Sequence, residues 1–394
     1  MVVYLALFLY GPLIVFLIGG VYLIIARSKS HKVTCSSLPD ILGLLSPQRT
    51  PLMDLLQTRS IPNSRLRHAF NLSNTFVTSD KDVHTKFVKE AKSLIRTTPD
   101  MWFEIAQRTL TIVEQCTPAP MNSSIDIPYH VFIQRVVLKA IMASLFKVNP
   151  SEMVDQDVDI VANGINDLWQ ISKVCKDGNP SLLSSVNTRL VKWVPHVDNP
   201  LNLVIPTFET MWRVVAVTVA LIIRNSNTKY LFSEYLSNPT HTQYELWPDD
   251  SQTPSVDALI RESLRLHPPT RRISRAIPMF PCIAPFLPSC FQRSLTQVAV
   301  ADVGTVHRNS QIWGPDADSF DAMRHHPKIK ASLSESLRRS REQGMLAFGA
   351  GPLKCVAYNW APQFVGIVVA AVLEEEGVLF RIAEGSVIGG REVG

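Results

Sequence analysis

Between Asp82 and Ile95 the apolar residues Val83, Phe87, Val88, Ala91 and Leu94 recur every three or four positions. That spacing gathers them on one face of a helix and leaves the lysines on the other. Further helical stretches are expected from Ile127 to Phe146 and from Val154 to Lys173. Asn199 followed by Pro200 predicts a helix start, a capping side chain and then a ring already set to helical φ. The helix it opens runs toward Arg224 and is apolar almost all round, as in the core of a large domain or in a membrane span. Glu209 and Arg213 at its middle would be costly in lipid, which favours the core. Another helix starts near Thr253-Pro254 and must stop before Pro268-Pro269, because the residue ahead of a proline is steered from the α region. Short strands are expected over Arg272 to Ile277 and Thr296 to Ala301, so the fold class is mainly α with a small β component.

A different pattern opens the chain. From Val2 to Ala26 no residue is charged, and a helix of that length reaches across the hydrocarbon core of a bilayer. Residues 1–26 are therefore read as a single transmembrane anchor. The apolar run is too long for a cleaved signal peptide and has no basic region before it. Arg27, Lys29 and Lys32 follow it, and this positive flank places everything downstream on the cytosolic side. Glycosylation sequons at Asn71 and Asn122 would then be chance matches. Residues 27–63 read as a hinge or tether, rich in Ser, Pro and Leu from Val33 onward and followed by short elements, and residues 64–394 as one catalytic domain.

Composition narrows the function. The chain has 394 residues, 46% of them hydrophobic, enough for a sizeable packed core. Its net charge of +5, from 39 basic and 34 acidic residues, comes without a long basic run, which argues against nucleic-acid binding. The six cysteines, at positions 35, 116, 175, 282, 290 and 355, include no CxxC pair. They fit neither a zinc site nor a small disulfide framework, and reduced thiols suit a domain facing the cytosol.

Only Cys355 has neighbours that argue for chemistry. It ends Phe348-Gly349-Ala350-Gly351-Pro352-Leu353-Lys354-Cys355 and precedes an apolar stretch through Leu373. Two glycines around a small residue permit a tight backbone excursion, and a cysteine at the mouth of a helix gains from unpaired amides that favour thiolate. Glu262 and Arg265 stand three apart, where a helix lets a carboxylate and a guanidinium pair. Pro206 interrupts the long apolar helix, and just beyond it Glu209 and Thr210 set an acid beside an alcohol, a pairing suited to relaying protons.

Together these segments resemble the cytochrome P450 superfamily, in the style of its fungal microsomal members, from about Ser64 onward. Phe348, Gly351 and Cys355 match the spacing of its haem-binding loop, and Glu262 to Arg265, followed by His267-Pro268-Pro269, its ExxR signature. Phe320 to Arg324 resembles its PERF segment, preceded by His307-Arg308 and Trp313-Gly314-Pro315. Two loop positions depart from the pattern: Leu353 stands where a basic donor to a haem propionate is usual, and Ala357 where a glycine is.

The resemblance implies the family fold behind an N-terminal transmembrane helix, with haem b as cofactor. Cys355 would be the axial ligand of the iron, with Phe348, Gly349 and Gly351 cradling the haem. Arg275 falls at a propionate-binding position, and His84 lies where the propionate-contacting helix would run. Glu209 and Thr210 would serve proton delivery, and Glu262, Arg265 and Arg324 would be structural. The implied activity is insertion of one atom of O2 into a lipophilic small molecule, in secondary metabolism, with electrons from NADPH through a reductase. The implied location is the endoplasmic reticulum membrane. A non-oxygenating or degenerate haem protein is the alternative, because the chain is shorter than usual members and Leu353 cannot donate. Met279 to Gln292, with its prolines and two cysteines, reads as an insertion.

Overall fold

The computed structural model describes residues 32–117, 128–174, 178–223, 226–248, 253–279, 296–375, 386–387 and 392–393. Among the described residues the first elements are strand β1 (Val33–Cys35) and helices α1 (Leu38–Leu45), α2 (Leu52–Ser60) and α3 (Ser64–Phe70). The stretch read as hinge or tether, residues 27–63, holds these short elements from Val33 onward. The Ser and Pro residues punctuate short elements instead of loosening the chain: Ser37 caps α1 by accepting from the Asp40 amide, and Ile41, Leu45, Leu55 and Leu56 are buried. The anchor read over residues 1–26 and nearly all of the insertion read over 279–292 lie outside the described residues.

The central helices follow the hydrophobic period closely. They are α4 (Lys81–Leu94), α5 (Pro99–Cys116), α6 (Tyr129–Leu145), α7 (Asp155–Val174) and α8 (Pro180–Trp193). In α4 the Asp80 carboxylate accepts from the amides of Asp82 and Val83, and Val83, Phe87, Val88, Ala91 and Leu94 are half-buried while the lysines face water.

The long apolar helix is α9 (Leu201–Ile222). It is long and apolar enough to cross a bilayer, yet most of it is buried inside the domain, against α6 and α7. Asn199 does not cap it, because its side-chain amide donates to the Asn71 carbonyl at 2.9 Å and Pro200 occupies the cap position. Pro206 has no N–H to give the carbonyl four residues back, that of Asn202. The buried Asn74 fills the gap, its side-chain amide donating to the Asn202 carbonyl at 2.7 Å. Asn74→Leu should therefore lower stability by about 1–2 kcal/mol, the cost of an orphaned polar group. Thermal unfolding would measure it, and an unchanged midpoint would show that the carbonyl finds another donor.

Beyond α10 (Ser226–Ser237) the chain forms α11 (Val256–Leu266), whose cap is Ser255, accepting from the Ala258 amide at 3.1 Å. Strands β2 (Arg272–Pro278) and β3 (Thr296–Asp302) pair antiparallel, and β1 joins the other edge of β3 in parallel, Val33 opposite Ala299. After several short helices come α12 (Glu335–Gly344) and α13 (Trp360–Glu374). The apolar α13 packs against α5, α9, α10 and α11, which makes it the central member of the helical core. Its first turn is fastened where the Trp360 indole stacks on Phe364, with 4.7 Å between centroids, and donates to the Thr97 hydroxyl at 2.9 Å. A smaller core, built from Leu38, Ile41, Leu45, Ala301, Val306, Trp313 and Leu346, joins the sheet to α1.

Candidate functional site

The cysteine loop lies where the two cores meet. Phe348 packs on the helical core, whereas Leu346 and Ala350 belong to the smaller one. Gly349 and Gly351 both take positive φ, 71° and 70°, a conformation that side chains resist. The turn they allow is closed by the Cys355 amide, which donates to the Phe348 carbonyl at 3.0 Å. Space demands glycine as well: a β-carbon at position 351 would stand 2.6 Å from Ser46 Cβ and 3.0 Å from the Leu45 carbonyl oxygen. Cys355 is exposed, yet surrounding protein raises its thiol above the ordinary range by desolvation, against the Ala357 amide and the Lys354 charge. The helix-mouth expectation for its ionisation needs correction, because α13 does not open until Trp360. The protein alone does not make the thiolate, and a bound metal ion would.

Behind the loop lies a buried charge cluster. Glu262 and Arg265 on α11 are both 0% exposed and form a two-pronged pair, with Arg265 Nε donating to Oε2 at 2.8 Å and Nη2 to Oε1 at 2.6 Å. The remaining guanidinium hydrogens reach the carbonyls of His307, Ala317 and Ser319. Arg324 adds Nε to Glu262 Oε1 at 3.3 Å and binds Asp316 and the Trp313 carbonyl. Burial would raise the Glu262 carboxyl, but hydrogen bonds from Arg265 and His325 and their charges hold it at about 2.

On α9, residues 203–220 are buried except for Pro206, Thr207, Thr210 and Arg213, a strip along one side of the helix. The Thr210 hydroxyl donates weakly to the Pro206 carbonyl, at 3.5 Å. Its neighbour Glu209 is 3% exposed, pairs with Arg213 at 2.7 Å through Oε1, and leaves Oε2 without a partner. Desolvation outweighs the Arg213 charge and pushes this carboxyl up to about 7. The sheet supplies Arg275, on the same face of β2 as Ile273, which borders Gly349. Arg275 is 7% exposed and its Nη1 donates to the Ser274 carbonyl at 2.9 Å.

Comparison with known proteins agrees with this geometry. The cytochrome P450 family model matches residues 240–375, the stretch that holds the charge cluster and the cysteine loop. Over that stretch the chain is similar to the cytochrome P450 superfamily. Mouse leukotriene-B4 omega-hydroxylase 3 is 28% identical over 129 residues, which are 32% of this chain and 22% of that protein. Rat cytochrome P450 4F5 is 30% identical over 131 residues, again 32% of this chain and 22% of the relative. The chain thus spans about a fifth of the length of the curated relatives it matches. The fold likeness is wider. The haem domain of a cytochrome P450DA mutant covers 86% of this chain and 79% of its own at a TM-score of 0.58 and 12% identity. A six-coordinated P450 from Thermus thermophilus covers 87% of this chain and 84% of its own at 0.56, also at 12% identity.

A P450 haem needs a sulfur for its iron and cations for its two propionates. The residues fit. Cys355 is an exposed cysteine, and Arg275 is a buried guanidinium beside the loop whose hydrogen-bond partner among the described residues is the Ser274 carbonyl. Three residues acquire parts that sequence reading did not give them. His307 donates from Nδ1 to the Arg265 carbonyl at 2.7 Å and accepts the Leu346 amide on Nε2 at 2.9 Å, tying α11 to the start of the cysteine loop. His325 contacts Glu262 Oε2 at 3.0 Å. Arg59, on α2, comes close enough to Arg275 to feel its charge. Only the motif position of His307 offered a signal, since the other two contacts join residues far apart in the chain.

Proposed function

We propose that this chain is a haem-thiolate monooxygenase that inserts one oxygen atom of O2 into a lipophilic small molecule. The observation that carries the reading is Cys355, an exposed cysteine in a loop that turns through positive φ at Gly349 and Gly351 and has no space for a side chain at 351. Cys355 would hold the haem iron, Phe348, Gly349 and Gly351 would cradle the macrocycle, and Arg275 would take a propionate. When bound, the haem supplies activation of O2, with electron density from the sulfur favouring O–O cleavage.

The chain's own residues would manage protons and solvent. A carboxyl held at about 7 is divided between its two forms near neutrality, so Glu209 can both give up and recover a proton. Thr210, on the accessible strip of α9, would pass it on, and the kink at Pro206 shapes the wall beside it. Glu262, Arg265 and Arg324 hold the scaffold behind the sulfur. Residues 1–26 would anchor the protein in the endoplasmic reticulum membrane with the domain in the cytosol, where an NADPH-dependent reductase would deliver electrons. Because one relative is named for leukotriene B4, a lipophilic acid is the substrate class to try first, alongside the hydrophobic products of secondary metabolism.

The test is the reduced carbon-monoxide difference spectrum of the purified protein. The wild type should give the red-shifted Soret band of a thiolate-bound haem, and Cys355→Ala should abolish that band together with at least a thousandfold of the turnover, roughly the scale of losing a group essential to the chemistry. A Cys355→Ala protein that keeps both would defeat the assignment. A wild type with no such band would favour the second reading, a degenerate copy, for which Leu353 is the motive.

A further inference from the structure

His307 joins two parts of the site that the proposed chemistry leaves unconnected. It closes the short helix Val303–His307 and is 0% exposed, its ring set between the end of α11 and the start of the cysteine loop. The two neighbours fix its form. The Arg265 carbonyl can only accept, so Nδ1 carries the hydrogen, and the Leu346 amide can only donate, so Nε2 keeps a free lone pair. A neutral ring in this one tautomer satisfies both. The main chain ties the same junction, with Arg265 Nη1 donating to the His307 carbonyl at 2.5 Å.

From Leu346 the connection runs on to the sulfur. The Leu346 carbonyl accepts the Gly349 amide at 2.8 Å, where the chain makes its first positive-φ turn, and the Phe348 carbonyl accepts the Cys355 amide at 3.0 Å. Leu346 is 1% exposed, so water cannot stand in for its partners. Met345, at φ −76° and ψ 79°, makes an inverse γ-turn that also brings the Leu346 amide to 3.0 Å from the Gly344 carbonyl. We infer that His307 is the positioning residue of the sulfur: it hangs the cysteine loop from the back of α11, and when its ring lets go the loop loosens while the helical core stays folded. What the sulfur serves rests on the haem reading, whereas the hanger itself does not.

Protonation releases it. A second N–H on the ring would face the Leu346 amide donor to donor, and the Gly344 carbonyl, within reach of the ring, would draw it off and take that amide's other acceptor as well. Burial and the positive charges of Arg265, on α11, and Arg308, next in the chain, keep the ring neutral down to about pH 4. The charged groups on the other elements packed nearby are taken up elsewhere. Glu262 pairs with Arg265, Asp318 with Arg308 and Asp302 with Arg272 of β2, and Arg341 of α12 donates to the carbonyls of Ile312 and Trp313. Glu262 keeps its charge down to about 2, so the cluster on α11 outlasts the hanger.

Peptide-resolved hydrogen exchange on the full-length purified protein tests this. Near neutrality, His307→Ala should speed exchange over residues 346–355 roughly 10- to 100-fold, the range for a buried amide that loses its partner, and leave α13 unchanged. His307→Gln, which can donate and accept but does not titrate, should slow it again. In the wild type, lowering the pH through about 4 should open the loop ahead of α13, once intrinsic rates are corrected for, and His307→Gln should remove that step. The thiolate Soret band of the loaded protein should fade with the loop and persist in His307→Gln. If loop and α13 speed up together in His307→Ala, His307 is a packing residue and the inference is overturned. A loop indifferent to both the substitution and the pH overturns it too. Should His307→Ala not fold, the wild-type pH series decides, and a loop that opens only with α13 counts against the hanger. A protein with no thiolate band whose loop opens as described would strike the haem reading alone.

Discussion

Glu262→Gln should cost about 3–5 kcal/mol, the penalty for breaking a buried charge pair from one side. The substitution keeps the shape of the side chain and removes only its charge, leaving Arg265 and Arg324 in an interior that admits almost no water. Against a typical domain stability of about 5–15 kcal/mol that loss is large enough to leave much of the protein unfolded. Denaturant unfolding of the cofactor-free protein would show it as a lower midpoint, or expression would yield aggregate. The same change also strips the acceptor from either His325 or the Asp321 amide, which use different oxygens, so a loss below about 1 kcal/mol would mean that the cluster repacks freely, against what its geometry implies.

The second large effect is one of pH. His307 is lowered from 6.5 to about 4, mostly by burial, so its neutral ring stabilises the fold fully above pH 6.5 and that contribution fades as pH falls toward 4. The span is worth about 3 kcal/mol at roughly 1.4 kcal/mol per pH unit. Glu209 runs the other way. Its carboxyl is raised from 4.5 to about 7, so its contribution is complete below pH 4.5 and fades as pH rises through 7. Between pH 4.5 and 6.5 the two slopes oppose each other, with His325, also lowered by burial, siding with His307. Single variants of the cofactor-free protein should separate them. Glu209→Gln should make stability climb more steeply with pH across this window, whereas His307→Gln should flatten the climb or turn it downward. Urea unfolding at several pH values reads both, and parallel curves for the wild type and the two variants would refute the account.

Much of the helical frame could be read from spacing alone. The apolar positions of α4 repeat cleanly, prolines mark where α9 begins and where α11 must end, and the Glu262–Arg265 pair follows from helical geometry. The first elements were harder to read, because a stretch of Ser, Pro and Leu serves a loose linker as well as a set of short capped helices. Their burial depends on β3, which lies more than 250 residues away in the chain. Arg59 carries no local signal for the same reason, since its neighbours come from the loop before α4 and from a strand far downstream. A basic residue on a short helix reads as a solvated one until the fold shows what surrounds it. The position of Asn74 beneath the kink of α9 likewise depends on two segments meeting in space.

The contact between α1 and the cysteine loop sets a limit on how far the protein can be trimmed. Ser46 and Leu45 press directly on Gly351, and the strand just ahead of them completes the sheet beside β3. Removing the hydrophobic leader for soluble expression is therefore compatible with the fold only if the cut falls before Val33. A cut at residue 63 would discard the residues packed on Gly351 along with the edge of the sheet, and a preparation made that way would lose any haem spectrum for reasons unrelated to its chemistry.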